Sequence, residues 1–252
     1  MLKAYFFLSR RDGMTLDKFV DYYENTHAHL IADNLPDPSD SRRNFLVWSD
    51  DELETLGSRP FDVLTAITYE SRAKFEDSMK VYASPPFNEV VTEDELRFIN
   101  RERVRFAPVD EVIEGVPADE WRAAPAVPKG AKLMRLTRRP ETQDPDTFRS
   151  VYESFEAPLV QLLTAGCIDY RRNYIRSSDP FSFMTDEFGD ELNSHRWDLV
   201  EEFCFADAAG AKAAAKALNA ASIAEPLAGA FRTSAIECDQ YSSTATTSAP
   251  TK

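Results

Sequence analysis

No stretch of this sequence combines the length and the apolarity that a membrane requires. The longest apolar run near the N-terminus, AYFFL at residues 4–8, meets Arg10 and Arg11 at once. A membrane span needs about 20 apolar residues, and a secretory signal needs a longer apolar core after a basic start. Cysteine is scarce: Cys167, Cys204 and Cys238 are odd in number and lack metal-like spacing. That argues for a reduced, cytoplasmic setting. Basic charge is short as well, leaving a net charge of −14. Such a surface does not replace the counterions of nucleic acid or of an anionic membrane, so neither is an expected partner. The simplest use of the charge is solubility. There is no phosphate loop, dinucleotide fingerprint, Ser-His-Asp elbow or cysteine nucleophile, so nucleotide-dependent and covalent chemistry are not expected.

What is present is a repeat. Shifting the chain by 129 positions aligns residues 3–50 with 132–179 without a gap and gives 14 identities in 48 positions. Lys3 falls on Lys132, Phe19 on Phe148, Tyr23-Glu24 on Tyr152-Glu153, and Arg42-Arg43-Asn44 on Arg171-Arg172-Asn173. The match resumes at an offset of 136, where FDVLTAITYES (61–71) meets WDLVEEFCFAD (197–207). The second copy therefore carries an insertion within 177–196. One long period occurring twice implies a duplicated domain and not a solenoid. The expected division is residues 1–114 and 131–240 as units, a Pro/Ala-rich linker at 115–130, and a small, polar, disordered tail at 241–252.

Each copy reads as βαββαβ. In the first, KAYFFLS (3–9), NFLVWS (44–49), 63–71 and 103–113 read as strands. A helix runs from about Leu16 to Asp33 behind a Thr15 cap, with Phe19, Tyr23 and His27 on its apolar stripe. A second helix spans 71–83, stopped by Pro85-Pro86, and a short one spans 92–99. In the second copy, strands are expected near 132–138, 170–176, 197–205 and 231–239, and helices near 145–165 and 206–220. This is the ferredoxin-like order, whose sheet has one bare face. The expected fold is therefore α+β: two tandem ferredoxin-like units closing sheet against sheet into an intramolecular dimeric α/β barrel. The molecule would be a monomeric pseudo-dimer or a homodimer.

The first copy resembles the EthD family of the dimeric α/β-barrel superfamily. The resemblance is carried by RDGMTLDKF (11–19), YYENTHAHL (22–30), Phe61-Asp62 and DELRFI (94–99). It covers residues 2–113 well and 131–239 weakly; there EAPL (156–159) keeps the family's framework with a glutamate at the histidine position. The resemblance implies the barrel fold. It leaves the reaction open, because the fold hosts isomerases, cyclases, cofactor-free monooxygenases, decarboxylases and haem peroxidases.

His27 is the leading catalytic candidate, since imidazole is the natural acid–base group near neutrality. Its bland alternative is a satisfied core histidine. Tyr23 or Tyr152 would polarise an oxygen, or simply pack with a polar tip. Glu156, at the position of His27, would act as an acid in a second site or belong to a degenerate scaffold. Tyr5, Trp48, Asn44 and Arg43 are candidate substrate contacts; Arg42 and Arg43, repeated in both copies, fit a structural ion pair as well as a carboxylate clamp. His29 lies about 200° round a regular helix from His27, so the two do not share a metal. Glu24-x-x-His27 resembles half of a di-iron motif whose remaining ligand pairs are missing. Haem has no clear proximal ligand, and no cofactor is expected. His195 in the insertion is a weak partner. The resulting expectation is a cofactor-independent enzyme acting on a small aromatic or polyketide-like molecule by His-mediated proton transfer, as a lyase (decarboxylase, dehydratase or aldol-type) or an isomerase or cyclase. The alternatives are a non-catalytic carrier of hydrophobic metabolites and a cofactor-free monooxygenase.

Overall fold

The computed structural model of the chain describes residues 1–176, 197–221, 227 and 229–243. The insertion with His195 and residues 244–252 of the tail lie outside the described residues.

The first strands alternate strictly between two environments. In β1 (Leu2–Leu8), Tyr5 and Phe7 point into one core while Phe6 and Leu8 point into others, the period of two that a pleated strand imposes. β1 pairs antiparallel with both β3 (Val63–Tyr69) and β4 (Arg105–Ile113), and β3 pairs with β2 (Asp40–Leu46). The second run consists of β5 (Lys132–Arg138), β6 (Cys167–Ile175), β7 (Leu199–Phe205), the two-residue β8 (Phe231–Arg232) and β9 (Ile236–Ser243). β7 pairs with β5 and β6, and β5 with β9. Two seams join the runs, β2 with β9 and β4 with β6. Following these pairings returns to the start, so the sheet is a closed antiparallel barrel. Closure leaves no barrel strand with an unpaired edge.

The barrel is filled. Tyr5, Phe7, Leu46, Phe61, Leu64, Met134, Leu136, Trp197 and Val200 form one buried cluster. Near it, Lys3 and Lys132, equivalent under the 129-residue shift, both bind the Glu202 carboxylate, at 2.7 and 2.6 Å. Tyr5 donates to Oε1, the oxygen that Lys3 binds, at 2.5 Å. Burial opposes the charge on Glu202, yet the two ammonium groups hold its carboxyl well below the usual range.

The helices lie outside. α1 (Leu16–Tyr22) starts at Thr15, whose hydroxyl accepts from the Lys18 amide, as the sequence predicts. It passes through a π turn at Tyr23–His27 into α2 (Ala28–Asn34). α3 (Asp50–Leu56) opens on a Ser49–Glu52 capping box and ends at Gly57, whose φ of 74° suits glycine. α4 (Arg72–Tyr82) and α5 (Phe87–Phe98) complete the first region. The second region has α6 (Pro145–Val151), a π turn at Tyr152–Glu156, α7 (Ala157–Leu163) and α8 (Ala208–Ala220). No helix among the described residues is long and apolar enough to cross a membrane.

Four expectations need correction. β2 starts at Asp40, not Asn44, because Arg42 and Arg43 pair with Ala66 and Thr65 of β3. Ser49 leaves that strand to cap the unpredicted α3. α5 starts five residues before the expected short helix. Residues 241–243 are not a disordered tail: Tyr241, Ser242 and Ser243 register with Arg43, Arg42 and Ser41 and close one seam. The Pro/Ala-rich connector at 115–130 has no regular structure yet is pinned. Arg42 donates to the Ala124 and Pro125 carbonyls, and Trp121 donates to Glu111 at 3.1 Å.

Candidate functional site

The π turn sets the position of the central side chain. Phe19, Tyr23 and His27 are spaced by four, a step that drifts about 40° in an α-helix. At Tyr23–His27 the Ala28 amide bonds the Tyr23 carbonyl, five residues back, and the wider turn takes up part of that drift. All three side chains are therefore buried toward the sheet, while His29 is exposed. The His27 ring packs against Phe98 and Tyr23, with centroids 4.8 and 5.2 Å apart.

His27 does not end among aliphatic groups. It lines a cavity of about 380 Å³ between α2, the 35–38 loop, α4, α5 and the helix-facing side of β1–β3. Phe6, Leu8, Ile31, Leu35, Ile67 and Met79 give it apolar walls, and Tyr23, Arg43, Thr65, Tyr82 and Glu95 add polar groups. This size and mixture suit a small organic ligand.

Behind the imidazole stands a carboxylate. His27 Nδ1 lies 2.8 Å from Asp94 Oδ2, and the Tyr22 hydroxyl donates to Asp94 Oδ1 at 2.7 Å. Burial pushes the Asp94 carboxyl up, but the hydrogen bonds from His27 and Tyr22 outweigh it and hold the group below its usual range. Asp94 is thus an acceptor near neutral pH. In a neutral imidazole this acceptor places the proton on Nδ1 and leaves the lone pair on Nε2.

The neighbouring Glu95 behaves oppositely. It is buried, lines the cavity, accepts from the Tyr82 hydroxyl at 2.5 Å and lies 3.2 Å from Arg101. Burial dominates and raises its carboxyl above the ordinary value. The Tyr23 hydroxyl shares a 2.8 Å hydrogen bond with Thr65, and burial pushes its ionisation up to about 12. It is a neutral hydrogen-bonding group at physiological pH. Arg43 is held by Glu24 through two bonds, at 2.6 and 2.7 Å.

Of the residues singled out in the sequence, His27, Tyr23 and Arg43 meet at this cavity. Tyr5, Asn44 and Trp48 do not, because β-strand alternation turns Tyr5 and Asn44 to the barrel side. There Asn44 donates to the Leu64 carbonyl at 3.0 Å, and Trp48, just past β2, donates to the Phe61 carbonyl at 2.7 Å. Tyr152 and Glu156 belong to the other helix–sheet interface. Tyr152 donates to Glu201 at 2.6 Å and accepts from Arg135 at 2.8 Å. Glu156 lies 3.3 Å from Arg232. Asp94 and Glu95 are the residues that sequence reasoning missed as site groups. Among the described residues, no three His, Cys, Asp or Glu side chains converge to hold a metal ion.

Residues 11–102 match the model of the EthD domain. This segment is an EthD domain. The cavity, His27 and Asp94 all fall within the EthD segment. Solved structures match over nearly the whole chain. An anthrone oxidase-like protein shares 11% identity with a TM-score of 0.50, covering 96% of this chain and 92% of its own. A candidate chlorite dismutase shares 10% identity with a TM-score of 0.48, covering 94% of each chain. A candidate monooxygenase from Lactobacillus acidophilus NCFM shares 9% with a TM-score of 0.43, covering 95% and 93%. No curated protein matches the chain. At such identities the likeness is one of fold, and it rests on the first of these structures.

Proposed function

We propose that this chain is a cofactor-independent acid–base enzyme of the lyase or isomerase class. It takes a small ring compound into the EthD-domain cavity and removes a proton with His27 Nε2. Asp94 orients the ring and stabilises the imidazolium that forms. Tyr23 with Thr65, or Glu95 with Tyr82, supplies a hydrogen bond to the oxygen on which charge develops. The observation that carries this reading is the buried Asp94–His27 pair, 2.8 Å apart, in the wall of a 380 Å³ cavity. In the same reading the chain is a gene-level duplication of a ferredoxin-like unit. The repeat at offset 129 and the matched π turns at 23–27 and 152–156 support it. Residues 131–240 complete the barrel without a working site.

A second reading shares the first step. Proton removal from an activated ring carbon also begins cofactor-free oxygenation, and the likeness to a protein named anthrone oxidase-like favours it. One experiment separates the readings. A panel of enolisable aryl ketones and phenols is incubated with the protein in deuterium oxide, and loss of C–H signal is followed by proton NMR while an electrode records oxygen. Exchange above buffer that disappears in His27→Gln supports proton transfer; coupled oxygen uptake assigns the oxygenase. Binding of the panel with no exchange in the wild type overturns both in favour of a carrier.

A further inference from the structure

The charges around the cavity restrict what enters it. Asp33 and Asp37 are exposed lining residues; Glu95, a third carboxyl in the cavity wall, is itself paired with Arg101 at 3.2 Å. Asp94 adds another negative charge directly behind His27. Among the described lining residues the one guanidinium is that of Arg43. Glu24 engages it by the two short bonds given above. An entering anion would therefore pass two carboxylates and leave water for a wall whose cation is already neutralised. Charge burial without a partner is strongly unfavourable.

We infer that the cavity selects by charge: it accepts uncharged ring compounds and protonated amines and rejects carboxylates, sulfonates and phosphates of the same shape, with Asp33 and Asp37 as the discriminating residues. Within the proposed function, on which the consequence for reaction type rests, this removes decarboxylation from the lyase options. The proton that His27 accepts comes from a neutral O–H or C–H: that bond breaks, an Nε2–H bond forms, and the electron pair stays on the ligand beside the imidazolium.

The test uses three naphthalenes of similar size whose one substituent is neutral, cationic or anionic: 1-naphthalenemethanol, 1-naphthylmethylamine and 1-naphthoate. Calorimetric titration is done near pH 7 at low ionic strength, where surface charges are little screened, about 20 mM. The alcohol and the amine are expected to bind at least roughly tenfold more tightly than naphthoate. In Asp33→Asn/Asp37→Asn, naphthoate should gain about threefold or more and the amine lose as much, with the alcohol unchanged. Ile31→Trp, which fills the cavity, should abolish all three and so locates the binding. Naphthoate binding as tightly as the alcohol to the wild type overturns this inference alone. Alcohol binding with the stated charge order but no C–H deuterium exchange on any aryl ketone or phenol of the panel above leaves it standing and removes the enzymatic reading. Absence of binding by all three overturns both.

Discussion

At the interface of α1–α2 with the first strands, Tyr23 meets a threonine; at the corresponding place in the second region, Tyr152 meets a glutamate. The offsets found in the sequence put Arg135 where Phe6 stands, Glu201 where Thr65 stands and Glu156 where His27 stands. Around the first set lies a cavity with an imidazole in its wall. Around the second, Arg135 binds Glu201 at 2.5 Å, and Glu201 also accepts from Tyr152 and Tyr170 at 2.6 Å each. Burial disfavours the charge on Glu201, but the guanidinium and the phenols outweigh it and keep its carboxyl low. The α–π–α backbone is the same, and so is the Arg–Glu pair beside it, Arg43–Glu24 and Arg172–Glu153. Helix path and sheet register are thus separable from the site: where the first interface has Phe6, Ser41 and Thr65 on its cavity wall, the second has Arg135, Tyr170 and Glu201 joined in one ion and hydrogen-bond cluster.

The sharpest way to break this comparison is to remove each region's key side chain. His27→Gln should lower exchange by about 10²–10⁴-fold, the usual worth of a positioned acid–base group. Glu156→Gln should leave exchange within about twofold, since Glu156 is outside the cavity. Comparable losses from both would show two working sites. Restoring an imidazole at the second position, Glu156→His in the His27→Gln background, should not recover exchange. That ring would stand beside Arg232, and α5, which carries Asp94, has no counterpart among the described residues of that region.

Stability should show the reverse asymmetry. Arg135→Met leaves the fully buried Glu201 without its cation, and breaking such a pair costs about 3–5 kcal/mol. Thr65→Ala, which removes one neutral hydrogen bond from Tyr23, should cost about 1 kcal/mol. Urea midpoints of the two variants measure both. A smaller loss for Arg135→Met than for Thr65→Ala would mean that the ion cluster does not hold the second interface together.

The sequence pattern went far toward this picture because the backbone elements follow local rules. The Thr15 cap, the apolar stripe at 19, 23 and 27 and the strand at 3–9 all reappear. Two of the failures depended on distant pairing. Residues 40–43 look polar and loop-like, yet β3 and β9 recruit them as strand; residues 241–243 look like tail, yet the open edge of β2 takes them. The π turns are invisible to a search at helical period. Asp94 and Glu95 left a trace: Val91 and Phe98 are buried at helical spacing on α5, and the two acids stand on the same stripe. A carboxylate at a core position is rarely tolerated unpaired, so that mismatch is the signal that calls for a partner such as His27.

The smallest expected effect is also the most specific to the first region, because Asp94 and Glu95 are adjacent and shifted in opposite directions. Glu95 has its folded value raised above the unfolded value of about 4.3. The native state then binds more protons in that interval, so its contribution is present below the unfolded value and is lost as pH rises through the folded one. Asp94 has its folded value depressed below about 3.9. Its contribution is present above that value and is lost as pH falls through the folded one. Glu95→Gln should therefore gain on the wild type as pH rises from about 4 toward neutrality, while the deficit of Asp94→Asn should be full above about pH 4 and shrink in stronger acid. Urea midpoints between about pH 3 and 7 give both slopes. A Glu95→Gln curve parallel to the wild type throughout would mean that water reaches this carboxyl, and the low-dielectric wall argued for the cavity would be lost with it.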